Sequence, residues 1–154
     1  MDLLWQELTN GLPDSRQAVT VLIRMIASVV LGAIVGLERE KAGKPAGLRT
    51  HILVSFGTAL VVLACAGSGM NMDGLSRVIQ GIVTGIGFVG AGSILKLDQE
   101  RDIRGLTTAA GLWLTAAVGV ACGLGALGVA IIGAVLALII LALEGAFQKE
   151  KKKA

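Results

Sequence analysis

The fold is decided by Gly81 to Lys96, GIVTGIGFVGAGSILK, where glycine recurs through an apolar run long enough to enter a bilayer. Glycine destabilises a helix in water by about 1 kcal/mol relative to alanine. In lipid it is useful, because lipid tails give helices no hydrophobic reason to associate and close backbone contact must supply the attraction. The stretch therefore predicts a membrane-spanning helix at the hub of a compact helical bundle.

The composition of the whole chain agrees with a membrane location. Of its 154 residues 54% are hydrophobic and 16% are charged, and the mean hydropathy is +0.77, outside the range of soluble globular proteins. Apolar stretches near the usual spanning length of roughly 17 to 25 residues cover residues 18–37, 51–67, 77–95, 106–123 and 126–147. We expect an all-α membrane protein, a compact Gly-rich bundle of five transmembrane helices.

A single transmembrane domain accounts for residues 1–154. We expect residues 1–16 to form an interfacial segment, because their leucine and tryptophan spacing suits an amphipathic helix and they lack the basic start and apolar core of a cleavable signal peptide. Residues 148–154 form a basic cytoplasmic tail.

The positions of lysine and arginine predict the orientation. Basic side chains lie in alternate connections and in the tail: Arg39, Lys41, Lys44, Arg49, then Lys96, Arg101, Arg104, then Lys149, Lys151, Lys152, Lys153. The other connections, 68–76 and 123–125, carry none. By the positive-inside rule the N-terminus lies outside and the C-terminus inside. The net charge of +3 therefore reflects topology and attraction to the lipid bilayer, and it does not indicate a nucleic-acid partner.

Two pairs of helices resemble each other. Gly47 to Thr50 (GLRT) opens the second span and Gly105 to Thr108 (GLTT) opens the fourth, and the two spans carry Cys65 and Cys122 near their ends. Two interpretations stay open: a parallel repeat of helices 1–2 and 3–4 about an axis along the membrane normal, or a shared membrane composition. The cysteines are either bridged or, as we favour, free buried thiols.

Small residues recur every four positions in four of the five spans, a pattern that allows close helix contact. Such contact can form within the chain or between copies, and it favours a homo-oligomer, in the simplest case a dimer. The glycines predicted to pack are Gly32, Gly36, Gly81, Gly85, Gly87, Gly90, Gly92 and Gly119.

Gly85 to Gly90, GIGFVG, matches the dinucleotide-binding pattern G-x-G-x-x-G. We exclude nucleotide binding here, because that pattern needs a preceding strand in a soluble βαβ unit and an acidic residue about 20 positions on. These glycines lie instead in the middle of a predicted span.

Charged and polar side chains gather at the predicted cytoplasmic ends of three spans. They are Glu38, Arg39, Arg49, Thr50, His51, Arg104, Thr107 and Thr108. One interpretation is structural, since such groups cap helix ends and reach the headgroups. The other is a mouth that binds an ion or a partner, or that gates a path. His51 suits either a hydrogen-bonded interfacial role or proton transfer.

The predicted membrane interior offers little for chemistry. No Asp or Glu falls at a midplane position, where ion-coupled transporters and pumps typically place one. Arg24 can reach outward or pair within the bundle. A polar path stays open as an alternative, made of Ser55, Thr58, Gln80, Thr84, Ser93 and Thr115.

Magnesium prefers oxygen ligands, and the acidic residues nearest the predicted inner surface follow no metal-binding spacing. They are Glu38, Glu40, Asp98, Glu100 and Asp102. We expect no cofactor, with Mg²⁺ a candidate ion whose site the sequence does not assign. Because the chain has one histidine and no nucleophile–base set, we expect no enzymatic activity.

Three segments carry specific motifs in order: G-x-E-R and A-G-L-R-T within 32–60, G-I-G-F-x-G-A-G within 77–96, and R-G-L-x-T-A-A within 103–125. They resemble the transmembrane domain of the MgtC/SapB family of bacterial inner-membrane proteins. The positions on the family pattern are Glu38, Arg39, Gly47, Arg49, Thr50, Gly85, Gly87, Phe88, Gly90, Gly92, Arg104, Gly105 and Thr108.

The resemblance implies five spans, adaptation to low Mg²⁺, survival inside host cells and, from the best-known member, restraint of the membrane ATP synthase. Thr107 departs from the pattern, because that member carries at this position an asparagine linked to its effect on the ATP synthase. That activity is therefore in doubt for this chain. Since the sequence ends at Ala154, we also expect it to lack the C-terminal soluble domain of longer members.

Two hypotheses follow. The first is a non-enzymatic membrane regulator of Mg²⁺-linked ion or energy homeostasis that acts through helix contacts with itself or another membrane protein. The second is a small ion transporter or channel with the charged cytoplasmic cluster as its mouth.

Overall fold

A computed structural model describes residues 4, 14–96 and 103–151, with side chains at 4, 14–94 and 104–143. The described elements are helices α1 (Ser15–Lys41), α2 (Leu48–Gly67), α3 (Met72–Gly92), α4 (Leu106–Leu124) and α5 (Leu127–Lys151), with strands β1 (Leu95–Lys96) and β2 (Ile103–Arg104). The predicted all-α membrane bundle is confirmed. Helices α1 to α4 are each long and apolar enough to cross a membrane, and α5 opens with the shorter apolar stretch Leu127–Leu143.

Helices α1, α2 and α3 begin before the predicted spans, and in α1 and α3 a polar cap precedes the apolar run. Helix α1 starts at Ser15, where the Asp14 side chain accepts a hydrogen bond from the Gln17 backbone N–H at 2.7 Å. Helix α3 starts at Met72, where Asn71 accepts from the Gly74 N–H at 2.9 Å. Such N-caps satisfy backbone donors that have no partner within the helix.

The centre of the bundle is α4, and not α3 as the glycine-rich stretch predicts. Helix α4 contacts each of the other four helices, and 56% of its membrane-spanning stretch is buried against 17% for α3. The buried residues of α3 are Leu75, Ile86 and Gly90. Glycine permits close contact, but the position of the neighbouring helices decides which glycines make it.

Helix α2 lies in backbone contact with α1 and α4. A Cβ atom added at Gly32 of α1 would lie 2.8 Å from the His51 carbonyl oxygen and 2.9 Å from Ser55 Cβ. On the other side, a Cβ at Gly119 of α4 would overlap the Ser55 carbonyl and Thr58 Oγ1. Real Cβ atoms do not approach so closely, so these glycines allow the three helices to touch.

Most of the α3 glycines face away from the rest of the chain. A Cβ at any of four of them, Gly81, Gly85, Gly87 and Gly92, meets no heavy atom within 4 Å. Gly81, Gly85 and Gly92 are spaced by four and seven residues and lie on one side of α3, and we call these three the open glycine face. Gly90 differs, since its Cβ would lie 3.5 Å from the Cβ of Ala109 on α4. Phe88 of the same helix is 86% exposed.

Each of the four connections between helices holds one glycine with positive φ: Gly43, Gly69, Gly105 and Gly125. Strands β1 and β2 pair antiparallel, Leu95 with Arg104, and Gly105 then turns into α4 with φ +97, where any Cβ would overlap the Ser93 carbonyl. Gly125 links α4 to α5 with φ +82. Side chains rarely adopt these left-handed conformations.

Cys65 and Cys122 are free thiols, the first half-buried and the second buried. The predicted interfacial segment 1–16 and basic tail 148–154 lie largely outside the described residues.

Candidate functional site

The candidate site is a set of buried polar side chains on the three helices that touch one another. They are Ser28 and Arg39 on α1, His51 and Ser55 on α2, and Thr108 and Thr115 on α4. In a bilayer, polar groups within the bundle need partners from the protein or from bound molecules, so they mark places where structure or function requires them.

His51 is joined to α4 by a hydrogen bond. Its Nδ1 lies 2.7 Å from Thr115 Oγ1, and that hydroxyl donates to the Gly111 carbonyl at 2.8 Å. The Thr115 hydroxyl thus bridges the imidazole and the Gly111 carbonyl and links α2 to α4.

Glycines give His51 its place. A Cβ at Gly36 of α1 would lie 3.0 Å from His51 Cβ, and a Cβ at Gly111 of α4 would lie 3.7 Å from His51 Cε1. Glycine at position 36 is what allows this close approach, since the distance at Gly111 is an ordinary contact. The His51 residue is 0% exposed between the two helices.

Two buried polar atoms in this region have no hydrogen-bond partner among the described residues. They are Nε2 of His51 and Oγ of Ser55. Thr58, one turn further on, is satisfied, since its hydroxyl lies within hydrogen-bond distance of three carbonyls, including Ala116 of α4 at 3.1 Å.

At one end of α1, Glu38 and Arg39 form an ion pair. Arg39 is 1% exposed, and it donates from Nε to Glu38 Oε2 at 2.5 Å and from Nη2 to Oε1 at 2.9 Å. Nη2 also lies 3.4 Å from the Leu141 carbonyl of α5. A bidentate geometry of this kind is the strong form of an arginine–carboxylate contact. It fixes the guanidinium in the position from which Nη2 contacts α5.

Glu40 caps the next helix. Its Oε2 accepts from the backbone N–H of Leu48 at 2.9 Å, and Gly47 leaves room for it, since a Cβ there would lie 2.9 Å from the same oxygen. Sequence reasoning missed this role, because the carboxylate precedes Leu48 by eight residues and matches no local capping motif.

The remaining members of the predicted cytoplasmic cluster divide between surface and interior. Arg49 and Arg104 are exposed, Thr50 and Thr107 are half-buried, and Thr108 is buried. The structure thus brings Glu38 and Arg39 into contact and places Arg49 and Arg104 on the surface. His51 packs inside the bundle with Thr115, a residue that the sequence indicated only as part of a polar path.

Arg24 pairs with a helix end. Its Nη1 donates to the Gly123 carbonyl at 3.1 Å, at the C-terminus of α4, where backbone carbonyls lack partners and the helix dipole is negative. This resolves the two alternatives for Arg24 in favour of pairing within the bundle.

Over the described part of the chain, no group of three or more His, Cys, Asp or Glu side chains is placed to hold a metal ion. Asp98, Glu100 and Asp102, named above as acidic residues near the inner surface, lie outside the described residues.

Four membrane-length helices around a closely packed core define a multi-pass helical membrane protein. A sequence model of the MgtC family matches residues 25–150. The chain belongs to the MgtC family. The sequence resemblance to that family is thereby confirmed.

Individual relatives extend the comparison. The chain is 42% identical over 127 residues to the putative magnesium transporter YhiD of Escherichia coli, covering 78% of this chain and 58% of YhiD. It is 39% identical over 129 residues to protein SrpB of Synechococcus elongatus, 77% of this chain and 71% of SrpB. It is 42% identical over 104 residues to protein MgtC of Salmonella typhimurium, 68% of this chain and 43% of MgtC. The chain therefore spans about half the length of YhiD and MgtC. No solved structure matches it.

Proposed function

We propose that this chain is a non-enzymatic regulator of Mg²⁺-linked ion or energy homeostasis in the bacterial inner membrane, acting through contacts with a second copy or with another membrane protein. Support for the link to magnesium comes from YhiD, whose name describes a putative magnesium transporter, and from membership of the MgtC family. The ATP synthase is one candidate partner that the family resemblance implies.

The observation that carries the proposal is the open glycine face of α3. The glycines of α1 and α4 face α2, whereas a Cβ at Gly81, Gly85 or Gly92 meets nothing within 4 Å. Small residues allow helices of separate chains to approach closely in lipid. An exposed glycine face beside a closely packed core is suited to a protein that acts by binding the helices of another membrane protein or of a second copy.

The described interior gives less support to an ion path. Helices α1, α2 and α4 are in backbone contact at Gly32 and Gly119, which leaves no continuous lumen between them there. Within residues 14–94 and 104–143, acidic side chains lie at or next to helix ends, as Asp14, Glu38, Glu40 and Asp73 do. Ion-coupled transport usually uses a carboxylate near the midplane.

Crosslinking and co-purification test the regulator hypothesis. Gly85→Leu adds a bulky side chain to the open glycine face without a clash inside the chain, so the protein should fold, but crosslinking to itself or to a membrane partner should be lost. Gly57→Leu is the matched control, because Gly57 of α2 also meets nothing within 4 Å and lies outside that face. Equal crosslinking in both variants, or none in the parent chain, would contradict the proposal.

The alternative is a small ion transporter or channel, and the name of YhiD favours it. Purified protein in liposomes should then carry Mg²⁺, H⁺ or K⁺ down a gradient, and flux should fall when the Glu38–Arg39 pair is broken by Glu38→Gln or when the mouth is altered by Arg49→Gln. The regulator hypothesis predicts no flux under any of these gradients.

A further inference from the structure

Arg24 is the single charged residue in the apolar run 18–37 of α1. Its guanidinium is held at the end of α4, where Nη1 donates to the Gly123 carbonyl at 3.1 Å. A guanidinium carries five N–H donors, and this is its one hydrogen bond among the described residues. Leu22 and Ile23, which precede it, are more than half exposed, so lipid surrounds α1 at this level. The charge therefore lies beside lipid and keeps donors for a ligand.

The turn between α4 and α5 lies deeper in the bundle than the end of α2. Gly119 of α4 faces Ser55 of α2. Four residues on, Gly123 faces Val62, where an added Cβ would lie 2.7 Å from the valine Cβ. The two helices therefore run in the same direction. Helix α4 ends one residue after Gly123, whereas α2 continues to Gly67. At 1.5 Å per residue, α2 extends beyond α4 by about 6 Å.

Helix α3 also extends further than α4 at this end. Helices α3 and α4 are antiparallel, since the hairpin of β1 and β2 joins them. A Cβ at Gly90 of α3 would lie 3.5 Å from the Cβ of Ala109 on α4. In this register Leu124, the last residue of α4, is level with Leu75, whereas α3 begins at Met72. The turn therefore falls short of the end of α3 by about 4–5 Å.

We call residues 123–128 the recessed turn. They read GLGALG and carry no polar side chain, whereas the connection 68–71 after α2 reads SGMN. Leu124 in the recessed turn is 44% exposed. Helix α2 has 20 residues, which make about 30 Å of helix, the usual hydrocarbon thickness of a bilayer. Because α2 fills that thickness, the recessed turn and the charge of Arg24 beside it lie within the hydrocarbon layer.

A charged side chain at this depth draws headgroups toward it and thins the bilayer locally. The planar fork of a guanidinium matches two oxygens of a phosphate group. We propose that Arg24 and the recessed turn bind the phosphate group of one phospholipid, whose headgroup lies about one helical turn deeper than its neighbours. Its acyl chains supply apolar contacts at Leu124 that a soluble phosphate ion lacks. The site rests neither on the proposed function nor on the predicted orientation.

Solid-state NMR tests the contact with phosphate. The sample is the full chain with ¹⁵N-labelled arginine, in nanodiscs of phosphatidylglycerol and phosphatidylethanolamine. The Arg24 signal is the one that disappears in Arg24→Met, and Arg77→Met, at an exposed position of α3, is the control that must leave it in place. We expect lipid ³¹P to dephase the Arg24 guanidinium signal of the parent chain. An Arg24 signal without dephasing, as for a guanidinium that contacts only protein and water, would overturn the proposal.

Inorganic phosphate separates the two sources of a phosphate group. In lipid-free detergent, inorganic phosphate should leave the Arg24 signal where it is, and added phosphatidylglycerol should shift it. A shift with inorganic phosphate alone would assign the site to a soluble ion and overturn the assignment to lipid.

Nitroxide labels measure the depth of the recessed turn. In a chain with Cys65→Ala and Cys122→Ala, the labels are attached at Leu124→Cys and Ser68→Cys, both exposed positions. Collision rates with oxygen and with a water-soluble nickel complex should place the label at 124 about 6 Å deeper than the label at 68. Equal depths would contradict the recess.

Arg24→Met in the same labelled chains tests what the charge does to the bilayer. Without the guanidinium no headgroup is drawn inward, so nickel accessibility should fall at 124 and stay constant at 68. Unchanged accessibility at 124 would contradict the part given to Arg24.

Discussion

At the scale of single residues, the hydrogen bond from His51 to Thr115 joins α2 to α4 across the core. Thr115→Val keeps the shape of the side chain but removes the hydroxyl that pairs with His51 Nδ1. The ring nitrogen then stays buried without that partner, and we expect the free energy of unfolding to fall by about 1–3 kcal/mol. Reversible unfolding in detergent mixtures, followed by loss of helical circular dichroism, measures this.

The control for Thr115→Val is Ser28→Ala. The Ser28 hydroxyl bonds a carbonyl of its own helix, and such local bonds contribute little to tertiary stability. We expect Ser28→Ala to cost less than Thr115→Val, and an equal loss from the two variants would contradict the role given to Thr115.

Arg24 provides the second test at this scale. Its guanidinium donates to the Gly123 carbonyl and lies against Gly125 at the start of the turn into α5. Arg24→Met keeps an unbranched side chain but removes the charge and the donor. Because Arg24 is only partly buried, we expect a modest loss of stability, about 1 kcal/mol, measured by the same unfolding assay. Arg77→Met, at an exposed position of α3, is the control and should leave stability unchanged.

At the scale of helices, the structure distinguishes glycines that the sequence cannot. Gly119→Ala places a methyl group against the Ser55 carbonyl, which is backbone and cannot rotate away, so α2 and α4 must separate. Overpacking of this kind costs about 1–3 kcal/mol or more, and the bond from Thr58 to the Ala116 carbonyl weakens as well.

Gly87→Ala is the matched comparison, because nothing lies within 4 Å of a Cβ at Gly87. In monomeric protein in detergent it should leave stability unchanged or raise it by up to about 1 kcal/mol, since alanine is the better helix former. Thermal unfolding of Gly119→Ala and Gly87→Ala side by side checks both expectations. A larger loss in Gly87→Ala would mean that α3, and not α4, lies at the centre of the bundle.

This contrast explains how far the sequence predicts the helices. Hydropathy located every described helix to within a few residues, because apolar length is a local property. The N-termini of α1 and α3 lie ahead of the predicted ones, because Asp14 and Asn71 cap these helices before the apolar run begins. The identity of the central helix was not predictable. Gly85 of α3 and Gly119 of α4 have the same local sequence pattern, and they differ only in whether a neighbouring helix lies against them.

The same reasoning applies to the candidate site. The sequence indicated His51 as an interfacial residue of the cytoplasmic cluster, because it follows Arg49 and Thr50. Its partner Thr115 is 64 residues away, and no spacing rule connects the two. By contrast, Glu38 and Arg39 are neighbours in the sequence, and the charge pattern already grouped both in the cytoplasmic cluster.

At the scale of the whole molecule, the orientation in the membrane stays a prediction, and the structure supplies matched positions to test it. Ala42 and Ser68 are the C-cap residues of α1 and α2, and both are exposed. The basic residues Arg39, Lys41 and Arg49 flank the first connection, whereas the second has none. Since positive charge is retained on the cytoplasmic side, Ala42 should lie inside and Ser68 outside.

Cysteine labelling then decides between the two orientations. In a chain with Cys65→Ala and Cys122→Ala, a membrane-impermeant maleimide added to intact spheroplasts should label Ser68→Cys and spare Ala42→Cys until the membrane is permeabilised. Because both positions are exposed helix ends of similar geometry, a difference in labelling reports the side of the membrane and not local burial. The opposite labelling pattern would mean that the orientation is the reverse of the predicted one. It would place the Glu38–Arg39 pair on the outer side, and with it the charged mouth of the transporter alternative.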